Sequence, residues 1–166
     1  MEYNHTDDNY YYNKKSPIPP VNISFKEYHC ESGWKATKCS FIYLGNKKQS
    51  DSLNNKVIFK FIKREKGKEH RLDNEIQIMS ELNHQYILKP EQSFLYNQYL
   101  CIITKFAPYE TLYDVVRQYK TGIPEDIART AMHQMLEALQ YLHANRIWHR
   151  DIKPQNYLVY SWVPDP

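Results

Sequence analysis

The sequence predicts an α+β chain in two packed parts, with strands around one helix first and helices after them. Three observations carry that expectation. "VIFKFI", residues 57–62, is a short, dense run of β-branched and aromatic residues, as a strand requires. Leu72, Ile76, Met79 and Leu82 recur at helical spacing. Ile127, Ala131, Met135, Leu139 and Leu142 repeat that stripe in the second half, where no strand pattern competes.

Taken in order, the first twenty residues are polar, rich in Tyr and Asn, and end in Pro17, Pro19 and Pro20. They read as a disordered arm (1–20) before the folded part (21–166). Residues 22–29 alternate around Ile23 and Phe25 and form the first expected strand. Phe41 and Tyr43 mark a second, ending at Gly45-Asn46, and "NKKQSDSLNN" is a loop by composition. Along the third strand Val57, Phe59 and Phe61 take one face, while Ile58, Lys60 and Ile62 take the other. "SFLYNQYLCIIT" is a hairpin turning at Asn97-Gln98. Thr111 suits the N-cap of a short helix whose inner face is Leu112, Val115, Val116 and Tyr119. Pro124, followed by Glu125 and Asp126, opens a longer helix that ends near Asn145.

At 166 residues, with 42% hydrophobic and 25% charged residues, the chain has the make-up of a globular domain. A net charge of +3 is too small to argue for nucleic acid or a membrane surface. The basic run "KFIKREKGKEHR" is interleaved with Glu65 and Glu69 and reads as a solvated connection. Cys30, Cys39 and Cys101 have no metal-ligand spacing and read as reduced thiols, which points to the cytoplasm or nucleus. No segment resembles a signal peptide or a membrane span, so a soluble chain is expected.

Two charges sit on apolar stripes. Lys60 is flanked on its own face by two isoleucines, and Glu75 lies between Leu72 and Met79 on the helix. A buried charge whose partner is removed costs about 3–5 kcal/mol. Either the two side chains meet, or Lys60 snorkels past the isoleucines to water. The loop "IWHRDIKPQNYLVY", residues 147–160, is the other anomaly. It packs His149, Arg150, Asp151, Lys153, Gln155 and Asn156 between apolar ends, with Pro154 stiffening the bend. Charged and amide groups gathered on a loop of a rigid scaffold are candidates for a site.

His149-Arg150-Asp151 through Asn156 resembles the catalytic-loop pattern H-R-D-x-K-P-x-N of eukaryotic-type protein kinases. "VIFK" resembles the family's third-strand lysine, and "EIQIMSELNHQYI" its control helix and following turn. The resemblance implies a protein-kinase-like α+β fold. A five-stranded antiparallel N-lobe sheet with its control helix (about 21–104) is followed by a hinge (about 105–110) and the first part of a helical C-lobe (111–166). It implies phosphoryl transfer from ATP with Mg2+ to a protein Ser/Thr hydroxyl. Asp151 would accept or orient the hydroxyl proton, Lys153 would neutralise charge on the transferred group, and Asn156 would hold magnesium. A lysine at position 153 resembles the serine/threonine branch. Lys60 would touch the α- and β-phosphates with Glu75 fixing its amine, which favours the two charges meeting. Thr104 resembles the gatekeeper, the Lys105 carbonyl and Ala107 amide the adenine-binding hinge, and Leu158 the floor beneath the base. Arg150 resembles the arginine that pairs with a phosphorylated activation loop.

Three departures accompany the resemblance. The best register for the glycine-rich phosphate loop is residues 30–37, "CESGWKAT", with Cys30, Ser32 and Lys35 at glycine positions and Thr37 for valine. Ile58 stands where alanine is usual above adenine, and overpacking a fitted site costs about 1–3 kcal/mol. No D-F-G occurs before Pro166. These departures lead to the expectation of a fragment of a longer kinase, with a pseudokinase-like scaffold as the alternative.

Overall fold

The computed structural model describes residues 23–36, 40–48, 55–64, 67 and 69–161, apart from the side chains of Ser32, Trp34, Glu69 and Arg71. Thr37 and the expected arm lie outside the described residues. Among the described residues six strands form one antiparallel sheet in the order β1-β2-β3-β4-β6-β5. They are β1 (Ser24–Phe25), β2 (Tyr28–Ala36), β3 (Ser40–Lys47), β4 (Lys56–Lys63), β5 (Gln92–Tyr96) and β6 (Tyr99–Lys105). The helices are α1 (Glu69–Glu81), α2 (Leu112–Val116) and α3 (Glu125–Ala144). Among the described residues no helix is long and apolar enough to cross a membrane.

The expected strand over residues 22–29 is broken. Lys26 takes φ 52 and turns the chain, so β1 folds back on β2 through Phe25 and Tyr28. This two-residue strand is the sixth member of a sheet for which five were expected. The phosphate-loop register is corrected as well. Residues 30–36 belong to β2 and pair with β3, from Cys30 opposite Gly45 to Ala36 opposite Phe41, with bulges at Cys30/Ser32 and Gly33/Lys35. Strand pairing claims the backbone that the sequence reading had given to a loop.

β4 keeps its predicted alternation: Val57, Phe59 and Phe61 are buried, and Lys60 is exposed. The buried face joins Tyr28, Cys30, Tyr43, Tyr99, Cys101 and Ile103 in one core. Aromatic edges order it, with Phe61 T-shaped against Tyr43 at 5.5 Å and against Tyr96 at 6.1 Å. Gly45 is required there. A Cβ at that position would stand 2.4 Å from the His29 carbonyl oxygen and 2.5 Å from the Phe59 ring. Cys30 and Cys101 are fully buried, and burial pushes the Cys30 thiol up to about 11 and raises that of Cys101 further.

The contacts divide the chain into two compact units, Met1–Gln77 with Pro90–Lys105, and Ile78–Lys89 with Phe106–Pro166. The second has its own core of Leu112, Val115, Ala131 and Val159, against which Val116, Tyr119 and Tyr157 pack. α2 begins as its sequence requires. Thr111 Oγ1 accepts from the Asp114 amide at 3.2 Å, and Asp114 Oδ2 accepts from the Thr111 amide at 3.1 Å, a reciprocal cap. α3 starts after Pro124 with Glu125 and Asp126 in its first turn.

Candidate active site

The polar loop is held at both ends by backbone bonds. Where α3 ends, the Ile147 amide donates to the Leu142 carbonyl at 2.9 Å. On the outgoing side Leu158 bridges to Thr111: the Leu112 amide donates to the Tyr157 carbonyl at 2.8 Å and the Val159 amide to Glu110 at 2.9 Å. Pro154–Asn156 form a single 3-10 turn, because proline fixes φ and its missing N–H is not needed at a helix start.

Within that frame three predicted residues converge. Lys153 Nζ lies 2.8 Å from Asp151 Oδ2. The Asn156 side-chain amide donates to the same Oδ2 and to the Asp151 carbonyl, each at 2.8 Å. Both acceptors lack hydrogens, so the Asn156 NH2 must face them and its Oδ1 is left for another partner. Lys153 first, then Asn156, hold the Asp151 carboxyl below the usual carboxylate range; nearby His149 adds to the effect. All three side chains are exposed.

A lowered carboxyl makes a contribution that is complete above the ordinary carboxylate pKa and lost as pH falls through the lowered value. Asp151 is therefore charged at neutral pH. Lys153→Met removes the larger cause, so the Asp151 midpoint should rise toward the ordinary carboxylate range. Side-chain carboxyl NMR through an acid titration reads this directly; an unmoved midpoint would contradict the assigned cause.

The sheet register puts three further predicted residues on one face of the first unit. Ile58 pairs with Thr104, and Lys60 with Ile42 and Ile102. Thr104 is buried, Ile58 half-buried, and Lys105 exposed at the end of β6. In the second unit Ala107 is buried and Leu158 half-buried. Arg150 is exposed with φ 63.

Lys60 and Glu75 do not form the expected ion pair; both are exposed to solvent. Instead Arg64, just beyond β4, grips Asp73 of α1 at 2.9 Å. Asp73 and Glu75 are two residues apart, about 200° around a helix. With Asp73 turned to the strand end, Glu75 points elsewhere. Lys60 reaches water, so neither charge is stranded without solvent.

Sequence reasoning also missed Tyr157. It is half-buried against the second core, and its hydroxyl donates to Gln134 of α3. Gln134 lies 23 residues away, and nothing in the local pattern pairs the two.

Comparison with known proteins agrees with this arrangement. Residues 40–162 match the protein kinase domain. The chain is 37% identical to serine/threonine-protein kinase TIO of Arabidopsis thaliana over 122 residues, covering 71% of this chain and 9% of that protein. It is 35% identical to Aurora kinase B of Xenopus tropicalis over 119 residues, 71% of this chain and 33% of that protein. Over 85 residues it is 40% identical to serine/threonine-protein kinase 10 of Danio rerio, 51% of this chain and 9% of that protein. The chain thus spans a third or less of the length of these relatives. Matched across most of its length, the chain belongs to the protein kinase domain family.

Proposed function

We propose that the protein is an ATP-dependent serine/threonine kinase and that Asp151 directs the substrate hydroxyl. The observation that carries this reading is the Asp151–Lys153–Asn156 cluster. Its two side-chain contacts fall on Asp151 Oδ2. Oδ1 is then the oxygen that takes the hydrogen bond of a Ser/Thr hydroxyl and orients it for attack. Lys153, already 2.8 Å from the carboxylate, supplies positive charge where phosphoryl oxygens gather. Phosphoryl transfer demands chiefly this positioning and charge neutralisation.

Magnesium fits one donor here. Asn156 Oδ1 is a hard oxygen left over once the NH2 is committed to Asp151. Among the described residues no cluster of three or more His, Cys, Asp or Glu could hold a metal unaided. This suits an ion that keeps waters and phosphate oxygens as its other ligands. When bound, magnesium would neutralise phosphate charge.

In the same reading Lys60 touches the α- and β-phosphates. Ile58, Thr104, Lys105, Ala107 and Leu158 serve the adenine, and Arg150 answers a phosphorylated loop. For Glu75 to steady Lys60, α1 must turn away from the orientation in which Asp73 holds Arg64. That unmade pair, with strand β2 where a glycine-rich loop was expected, favours a non-catalytic scaffold as the second reading.

The test uses the full-length product of the reading frame that carries residues 1–166. Incubated with radiolabelled ATP, magnesium and casein, it should label serine and threonine; no transfer would leave the scaffold. Separately, Lys60→Met should weaken magnesium-ATP binding by at least about tenfold, the scale of one lost charge-assisted contact. Calorimetric titration measures it, and unchanged affinity would remove Lys60 from the phosphate site.

A further inference from the structure

We infer that Phe25, Lys26 and Tyr28 form a clasp that closes the curled sheet upon its far edge, so that β1 and β5 open and shut together. These residues and their partners all lie in the first unit, and none has a part in the kinase reading. β1 and β5 stand at opposite ends of the strand order. In a flat sheet, five spacings of about 4.8 Å would part them by about 24 Å. Yet Phe25 of β1 stacks on Phe94 of β5, with ring centroids 4.0 Å apart and planes inclined by 11°. The sheet has curled until its two edges touch.

Polar contacts extend the stack along the seam. Lys26 Nζ donates to Gln92 Oε1 at 2.8 Å, and the Tyr28 hydroxyl donates to Glu91 Oε2 at 2.8 Å. Lys47 Nζ lies 3.7 Å from that same Glu91 oxygen and 5.2 Å from the centre of the Tyr28 ring. Residues 25, 26 and 28 thus meet residues 94, 92 and 91 in turn, two segments running in opposite senses. Among the described residues no strand pairing joins β1 to β5. Side chains close the seam instead.

Such a seam is weaker than the ladders beside it. β1 is two residues long and pairs with β2 at Ser24–His29 and Phe25–Tyr28. Its turn holds Lys26 at φ 52, a left-handed conformation that is costly for a residue with a Cβ. The clasp therefore opens as a local event, with the ladders of the sheet intact. Displacing β1 then loosens β5, its neighbour across the seam. Two amides report the two sides. The Cys30 amide donates to the Ile23 carbonyl, beside β1, and the Glu91 amide to the Ile103 carbonyl, at the start of β5, each at 2.8 Å. Once Tyr28 releases Glu91, that end of β5 frays.

The experiment is amide hydrogen exchange in the full-length product, resolved to single residues by mass spectrometry. In wild type at low urea both amides should exchange with little urea dependence, the mark of a local opening. Amides that pair β4 with β6 should instead follow the steep dependence of global unfolding. Phe25→Ala should speed the Glu91 amide, across the seam, by about tenfold, the scale of one lost aromatic pair. Lys26→Met, an exposed change that keeps a Cβ in the turn, should speed it by about threefold, the scale of one lost hydrogen bond. Leu95→Ala, at a side chain 58% exposed on β5, should stay within about twofold of wild type. In a Phe94→Ala background Phe25→Ala should add less than about twofold, because the partner ring is already gone.

If Phe25→Ala and Lys26→Met speed Cys30 but leave Glu91 unchanged, the two edges are independent and the clasp is overturned. Steep urea dependence at Glu91 in wild type would overturn it as well. So would a full tenfold effect of Phe25→Ala in the Phe94→Ala background. Should Phe25→Ala fail to fold, Lys26→Met decides by itself.

Discussion

Asp151→Asn should lower kcat for phosphoryl transfer by about 10²–10⁴-fold, the usual contribution of a positioned acid–base group. The substitution keeps the shape of the side chain and removes its charge. An amide at this position has one oxygen, and Lys153 and Asn156 both seek it as donors. If that oxygen faces them, the NH2 faces the substrate hydroxyl and offers a second donor where an acceptor is needed. If the amide flips, its NH2 opposes the Lys153 ammonium and the Asn156 NH2. Neither orientation reproduces the carboxylate. ATP affinity should change little, because the substituted group acts on the hydroxyl and not on the base or ribose. Steady-state kinetics with casein separate the two effects. A variant with wild-type kcat would remove Asp151 from the reaction, whereas a raised KM for ATP alone would make it a nucleotide contact.

Phe61→Ala should destabilise the first unit by about 3–5 kcal/mol, the usual cost of emptying a buried aromatic site. The side chain is fully buried in β4. It meets Tyr43, Tyr96 and Phe94 edge-on, with centroids at 5.5, 6.1 and 6.5 Å. Those rings come from β3 and β5, so the cavity would open between strands on both sides of β4 and could not collapse from one direction alone. Leu95, 58% exposed on β5, is the control: its change to Ala should stay within about 0.5 kcal/mol. Urea unfolding followed by circular dichroism distinguishes the two. Equal midpoints would mean that the ring cluster does not hold the sheet.

Much of this architecture was legible because periodicity reports faces. The alternation of Val57, Phe59 and Phe61 gave β4, and the stripe from Leu72 to Leu82 gave α1. Asn97-Gln98, Thr111 and Pro124 marked a turn and two helix starts through their local chemistry. The meeting of Asp151, Lys153 and Asn156 was legible because they lie within six residues of chain on one loop. The failures concern what covers a face. Lys26 reverses the chain at positive φ without being glycine or asparagine, so the break between β1 and β2 left no sign. Glu75 sits on the helical stripe, yet one ion pair from Asp73 to Arg64 sets which side of α1 meets the strand end. Tyr157 and Gln134 join across 23 residues, a distance over which no local pattern speaks. Strand pairing likewise took residues 30–36 from the expected loop, because β3 offered them hydrogen bonds that composition does not reveal.

The two thiols in the sheet core have a kinetic meaning. Only a thiolate attacks an alkylating reagent at a useful rate, and Cys30 and Cys101 are fully buried with raised pKa values. Their modification must wait until the strands around them part. With Cys39 replaced by serine, the pace of labelling therefore counts how often this sheet opens, one opening at a time. A nucleotide that stiffens the sheet would slow that count even when no phosphate is transferred.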